Sequence, residues 1–138
     1  MVLTDAERQE IVEATSAARS AGATGASVDV ASFPLPALAE QIERWSALLN
    51  DGRGFLLLRR FPIDLLTPAD VELAYLGLGA HLGTPVGQDR DATVLGHVRD
   101  EGVERTHPGV RFYRTKERQD FHADGADLVG LLCLHRAR

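Results

Sequence analysis

The sequence contains a single cysteine, no surplus of positive charge and no long hydrophobic run. One thiol, Cys133, excludes an intrachain disulfide framework, and its position in an apolar stretch predicts a buried thiol in a reducing compartment. The 15 basic and 20 acidic residues give a formal charge of −5, so nucleic acid is not an expected partner. No stretch approaches the roughly 18 apolar residues of a membrane span, and the acidic N-terminus is unlike a secretory signal. We therefore expect a cytoplasmic protein without membrane association.

The N-terminal region predicts one helix followed by a loop. Thr4-Asp5-Ala6-Glu7 has the capping-box pattern, in which the Thr4 side chain accepts from the Glu7 amide and the Glu7 side chain reaches back. The helix should run to about Arg19, and its thin apolar stripe predicts a helix on the surface of something larger. Residues 20–32 are rich in small and polar residues without periodicity, which predicts a loop.

A second helix is predicted from apolar residues at helical spacing, namely Leu38, Ile42, Trp45, Leu48 and Leu49. Asp51-Gly52 should end it. A tryptophan could stack on a ligand, but Trp45 on this stripe is better explained as core.

A third helix is predicted after Thr67 as N-cap and Pro68 at the first helical position. Its inner face comprises Val71, Ala74, Tyr75, Leu78 and Leu82. The Gly-x-Gly of Gly77 and Gly79 falls inside this pattern with no strand before it, so it does not indicate a dinucleotide-binding loop.

Short apolar runs predict strands in the rest of the chain. They are Phe55–Arg60, Thr93–Val98, Val110–Arg114 and the terminal run Leu128–Leu134. The last run follows directly on the segment with the most informative polar residues.

His122 and Asp124 are candidate metal ligands. In an extended backbone, residues two apart point to the same side, so the imidazole and the carboxylate would converge. A 2-His-1-carboxylate facial triad, the ligand set of non-haem Fe(II) oxygenases, needs one further His. By itself His-x-Asp is a weak signal, and a surface turn explains it better. The buried strand predicted directly after it favours a position at the rim of a sheet instead.

Five segments occur in the order found in a known enzyme family. They are Gly54–Arg59, Tyr75–Gly79, Leu82–Val86, Leu95–Asp100 and Phe121–Leu134. Together they resemble the N-terminal half of the taurine dioxygenase family of Fe(II)/2-oxoglutarate-dependent oxygenases. The resemblance implies an α+β fold, with N-terminal helices packed on a partial double-stranded β-helix of the jelly-roll or cupin type. It also implies that His122 and Asp124 bind Fe(II), that 2-oxoglutarate is the cosubstrate, and that a small-molecule substrate is hydroxylated.

The chain departs from this family after the matched segments. Members of the family continue to a distal His ligand and an Arg that pairs with 2-oxoglutarate, whereas this sequence ends at Arg138. We therefore assign residues 1–35 to an N-terminal helix and loop and residues 36–138 to an incomplete oxygenase domain. No residue is assigned to 2-oxoglutarate. His97 is the best substitute ligand, although a role in orienting the ligands or in structure is favoured.

Three functions remain open from the sequence. The chain is a fragment of an oxygenase that is inactive alone, or a non-catalytic binding module that pairs with another chain, or a zinc enzyme of β-barrel type using His97. Gln88 is a candidate for the substrate pocket, and a solvated turn explains it equally well. Because neighbouring strands would be missing, we expect dependence on partner strands or self-association.

Overall fold

A computed structural model describes residues 1–88, 92–102, 115, 118 and 120–135. Within these residues the chain forms three helices and no β-strand. The chain divides into two units, Met1–Pro85 together with Gly130–Arg138, and Val86–Val129. All three helices belong to the first unit. No helix in the described part of the chain combines the length and the apolar character needed to cross a membrane.

Helix α1 (Asp5–Ser20) begins at the predicted capping box. The Glu7 amide donates to Thr4 Oγ1 at 3.3 Å, and the Thr4 amide donates to Glu7 Oε2 at 2.7 Å. Its narrow buried stripe, which includes Ile11 and Ala18, lies on the side that packs against the third helix. The predicted start and end of this helix are confirmed.

Helix α2 (Ala39–Asn50) buries Ile42 and Trp45, so Trp45 is core as expected. Its N-cap residue, Leu38, has no side chain able to accept from the first turn. The Glu10 carboxylate of α1 binds the turn just before the helix, where its two oxygens accept from the Ala37 amide at 2.7 Å and the Leu38 amide at 3.0 Å. The residues that lead into α2 are thus held by a side chain of another helix.

Helix α3 (Pro68–Ala80) starts as predicted, with the Asp70 amide donating to Thr67 Oγ1 at 3.3 Å. It is buried over most of its circumference, and Gly77 lies directly against the fully buried ring of Phe33. Buried Asp70 accepts from Arg19 Nη1 of α1 at 2.9 and 2.7 Å and from the Thr67 hydroxyl at 2.7 Å. This ionic contact fixes α1 on α3.

The predicted α+β fold is wrong for the described residues, because no strand forms and there is no partial double-stranded β-helix. A strand needs a neighbour for its amides and carbonyls, and apolar side chains alone do not supply one. Phe55–Arg60 pairs with the N-terminal residues through a single isolated parallel bridge, Val2 with Arg59. Thr93–Val98 and Leu128–Leu134 are not strands, and Val110–Arg114 lies outside the described residues.

The terminal apolar run is exposed rather than buried. Val129, Leu131 and Leu134 are all open to solvent, and Cys133 is an exposed free thiol instead of the expected core residue. The Cys133 thiol donates to the His135 carbonyl at 3.4 Å. Burial of this run would require a covering layer, and the described residues do not provide one.

Candidate functional site

His122 and Asp124 lie side by side in the Val86–Val129 unit. His122 Nε2 is 3.8 Å from Asp124 Oδ1, and each side chain is 55% exposed. The two groups point to the same side, as the two-residue spacing predicts for extended backbone. A polar contact between groups this exposed contributes little to stability.

The orientation of the His122 ring is set by a backbone carbonyl. His122 Nδ1 is 2.9 Å from the Asp120 carbonyl oxygen. Because a carbonyl only accepts, Nδ1 carries the proton, and in the neutral ring the lone pair is left on Nε2. Nε2 is the nitrogen that faces Asp124, so the tautomer suits a metal ligand. Sequence reasoning missed Asp120 here, because a backbone contact has no signature in residue type.

The pair fits half of a metal site. Two ligands about 2.1 Å from one ion stand about 3.0 Å apart at a right angle and about 3.4 Å apart in a tetrahedral site. The observed 3.8 Å is only slightly longer, and half-exposed side chains can close this gap by small rotations. No group of three or more potential ligands occurs among the described residues. The structure thus brings together two predicted ligands and places no third beside them in its described part.

His97 and Gln88 do not complete this pair. His97 is exposed and joins no three-ligand cluster in the described part of the chain. Gln88 closes its own loop, since its amide donates to the Thr93 carbonyl at 2.8 Å and its Nε2 donates to the Val94 carbonyl at 3.0 Å. These contacts support the loop itself, and the pocket role of Gln88 stays a prediction.

Comparison with known proteins gives one informative similarity. No protein-family model matches the chain. FR-33289 synthase from Streptomyces rubellomurinus is 32% identical over 138 residues, which covers 99% of this chain and 41% of that protein. The chain thus spans about two fifths of the length of the curated relative it matches. A synthase is an enzyme, so the similarity points to an enzyme and covers only a part of it.

Proposed function

We propose that this chain is part of a non-haem Fe(II)/2-oxoglutarate-dependent dioxygenase that hydroxylates a small-molecule substrate, with His122 and Asp124 as two of its iron ligands. The observation that carries the proposal is the convergence of His122 Nε2 and Asp124 Oδ1, with Nδ1 held by the Asp120 carbonyl. The family resemblance and the similarity to a synthase along nearly the whole chain support the same class.

The chain's own residues supply a preset ligand pair. The Asp120 carbonyl keeps the imidazole in the tautomer that leaves Nε2 available, and Asp124 adds an anionic oxygen next to it. Fe(II) bound with 2-oxoglutarate supplies the oxidation of a substrate C–H bond by dioxygen, with release of succinate and carbon dioxide. The ion carries two positive charges, so the carboxylate also balances part of its charge.

The described residues alone should bind the metal weakly. Two protein ligands leave most coordination positions to water, and the family's distal His and Arg have no assigned counterpart here. Loss of the Arg removes a charge-assisted bidentate contact worth about 2–3 kcal/mol, a factor of roughly 30 to 150 in affinity for 2-oxoglutarate. We propose that residues outside this chain complete the site, and that the chain alone does not turn over.

The test is an anaerobic titration of the 138-residue chain with Fe(II), in which calorimetry measures the binding. We expect weak binding that His122→Ala or Asp124→Ala removes and that His135→Ala preserves. His135 is a matched control because it is another exposed histidine that takes part in no proposed site. Equal binding by His122→Ala and the unaltered chain would exclude the proposed ligand role.

A second readout maps the metal directly. Fe(II) with ascorbate and oxygen oxidises residues next to the bound ion, and peptide mass spectrometry should locate this damage at His122 rather than at His135. Addition of 2-oxoglutarate should give no catalytic amount of succinate. Many equivalents of succinate per chain, lost in His122→Ala, would show instead that this chain holds a complete site.

A further inference from the structure

The segment Phe55–Arg59 is extended, and among the described residues it is paired along one edge only. The Met1 ammonium donates to the Leu57 carbonyl at 2.6 Å, the Arg59 amide donates to the Met1 carbonyl at 3.0 Å, and the Leu3 amide donates to the Arg59 carbonyl at 3.1 Å. Exposure alternates strictly, since Phe55, Leu57 and Arg59 are exposed while Leu56 and Leu58 are half-buried. Both patterns have the period of two that characterises a strand.

The opposite edge of this segment has no partner in the described part of the chain. In extended backbone, residues 57 and 59 direct their amides and carbonyls toward one side, and residues 56 and 58 direct theirs toward the other. No hydrogen bond involves the amide or the carbonyl of Leu56 or Leu58 among the described residues. Such an edge accepts another extended segment through main-chain hydrogen bonds.

The outer face of the segment specifies the chemistry of a partner. Phe55 and Leu57 are 61% and 59% exposed and form an apolar centre. The Arg53 guanidinium lies 4.9 Å from the centre of the Phe55 ring, and Arg59 stands at the other end. Neither arginine has an ion-pair partner among the described residues, and residues 53–60 contain no acidic side chain. The face is therefore cationic at both ends and apolar between them.

We propose that this edge, defined by Arg53–Arg59, binds an extended peptide segment that is apolar at alternate positions and carries a carboxylate at each end. A second copy of the same edge fits poorly, because antiparallel self-pairing would bring four arginines into one small ladder and like charges across a ladder destabilise it. An acidic segment instead places a carboxylate opposite each arginine. The surface lies in a different unit from His122 and Asp124, so its test is independent of metal binding.

The probe is a blocked, fluorescently labelled heptapeptide, Asp-Thr-Val-Thr-Val-Thr-Asp, titrated with the 138-residue chain by fluorescence anisotropy. In the antiparallel register that matches both charges, its second and fourth residues face Leu58 and Leu56. N-methylation of those two amides should raise the Kd at least about fivefold, because two hydrogen bonds are lost. N-methylation of the third and fifth amides, which face away, should change the Kd far less. Equal effects of the two modifications would overturn pairing at this edge.

Substitutions on the outer face of the segment test whether its side chains contribute to peptide binding. Leu57→Asp should abolish binding, and Arg59→Glu should raise the Kd about fivefold. Leu65→Asp is the matched control, since Leu65 is a similarly exposed leucine of the same unit, and it should bind as the unaltered chain does. Circular dichroism checks that all three variants fold. A Lys-for-Asp peptide that binds equally well, or a loss of binding in Leu65→Asp as large as in Leu57→Asp, would overturn the proposal.

Sedimentation velocity tests the alternative occupant. A dimer that Leu57→Asp dissociates and that the acidic peptide does not compete away would assign the edge to a second copy and overturn the proposal. A monomer that binds the peptide with the stated dependence on Leu57 and Arg59 supports it. Absence of binding at millimolar peptide also overturns it.

Discussion

The contact between Arg19 and Asp70 should stabilise the fold far more than an ordinary surface ion pair. Arg19 joins α1 to α3 through two hydrogen bonds to a carboxylate that is only 9% exposed. Arg19→Met keeps much of the apolar stem but leaves Asp70 buried with the Thr67 hydroxyl as its remaining side-chain donor. Loss of a partner from a buried charge costs several kcal/mol, and the partial exposure of the site reduces this, so we expect about 2–3 kcal/mol.

Arg44 provides a closely matched control. Its side chain is 56% exposed, against 58% for Arg19, and it also contacts a carboxylate, Glu40, at 2.9 Å. Glu40 is 79% exposed, so water replaces the lost partner and Arg44→Met should cost at most about 0.5 kcal/mol. The two variants differ mainly in the burial of the carboxylate that loses its arginine partner.

Urea unfolding followed by circular dichroism measures both effects. Arg19→Met should lower the midpoint with an unchanged slope, and its Tm should fall by about 8–12 °C at roughly 4 °C per kcal/mol. In the cycle with Asp70→Asn, the double variant should cost less than the sum of the single variants, because both remove the same contact. Equal destabilisation by Arg19→Met and Arg44→Met would refute the reasoning from burial.

Three further perturbations test the helices and the acid response, each by thermal unfolding. Gly77→Ala should destabilise the fold by about 1–3 kcal/mol because its Cβ would stand 2.5 Å from a buried phenylalanine ring. Gly79→Ala has open space around the new Cβ and should stabilise the fold by about 0.5–1 kcal/mol. Equal shifts of Tm in the two variants would contradict this reasoning. Glu10→Ala should cost about 1–2 kcal/mol because the Ala37 and Leu38 amides before α2 lose a charged acceptor, and a change below 0.5 kcal/mol, on the order of surface substitutions, would exclude that role. The hydrogen bond from Arg8 lowers the pKa of Asp64 from 3.8, so its contribution to stability is present above pH 3.8 and is lost as the pH falls through the lowered pKa. Asp64→Asn should flatten the acid limb of the Tm profile, and an unchanged limb would contradict the assignment.

The helices were predictable because their signals are local. Thr4 and Thr67 each lie three residues from the group they cap, so the sequence alone locates the start of α1 and of α3. The strands failed because pairing is non-local. Leu128–Leu134 has the composition of a strand, yet composition does not supply the neighbour that a ladder requires.

The candidate site also has one feature that is local and predictable and others that are not. The proximity of His122 and Asp124 follows from a spacing of two residues and was predictable. The carbonyl of Asp120 and the loop contacts of Gln88 depend on backbone geometry, which residue type does not reveal. The metal assignment of the pair remains a prediction.

The contact between Glu10 and the two residues before α2 has a consequence for the order of folding. The amides of Ala37 and Leu38 find their acceptor 27 and 28 residues earlier in the chain, so no local event can satisfy them. A state in which α2 is helical but α1 has not docked would leave both amides to water. Their hydrogen exchange therefore measures the docking of α1 and not the helicity of α2, and it should accelerate whenever α1 detaches, even while α2 itself stays folded.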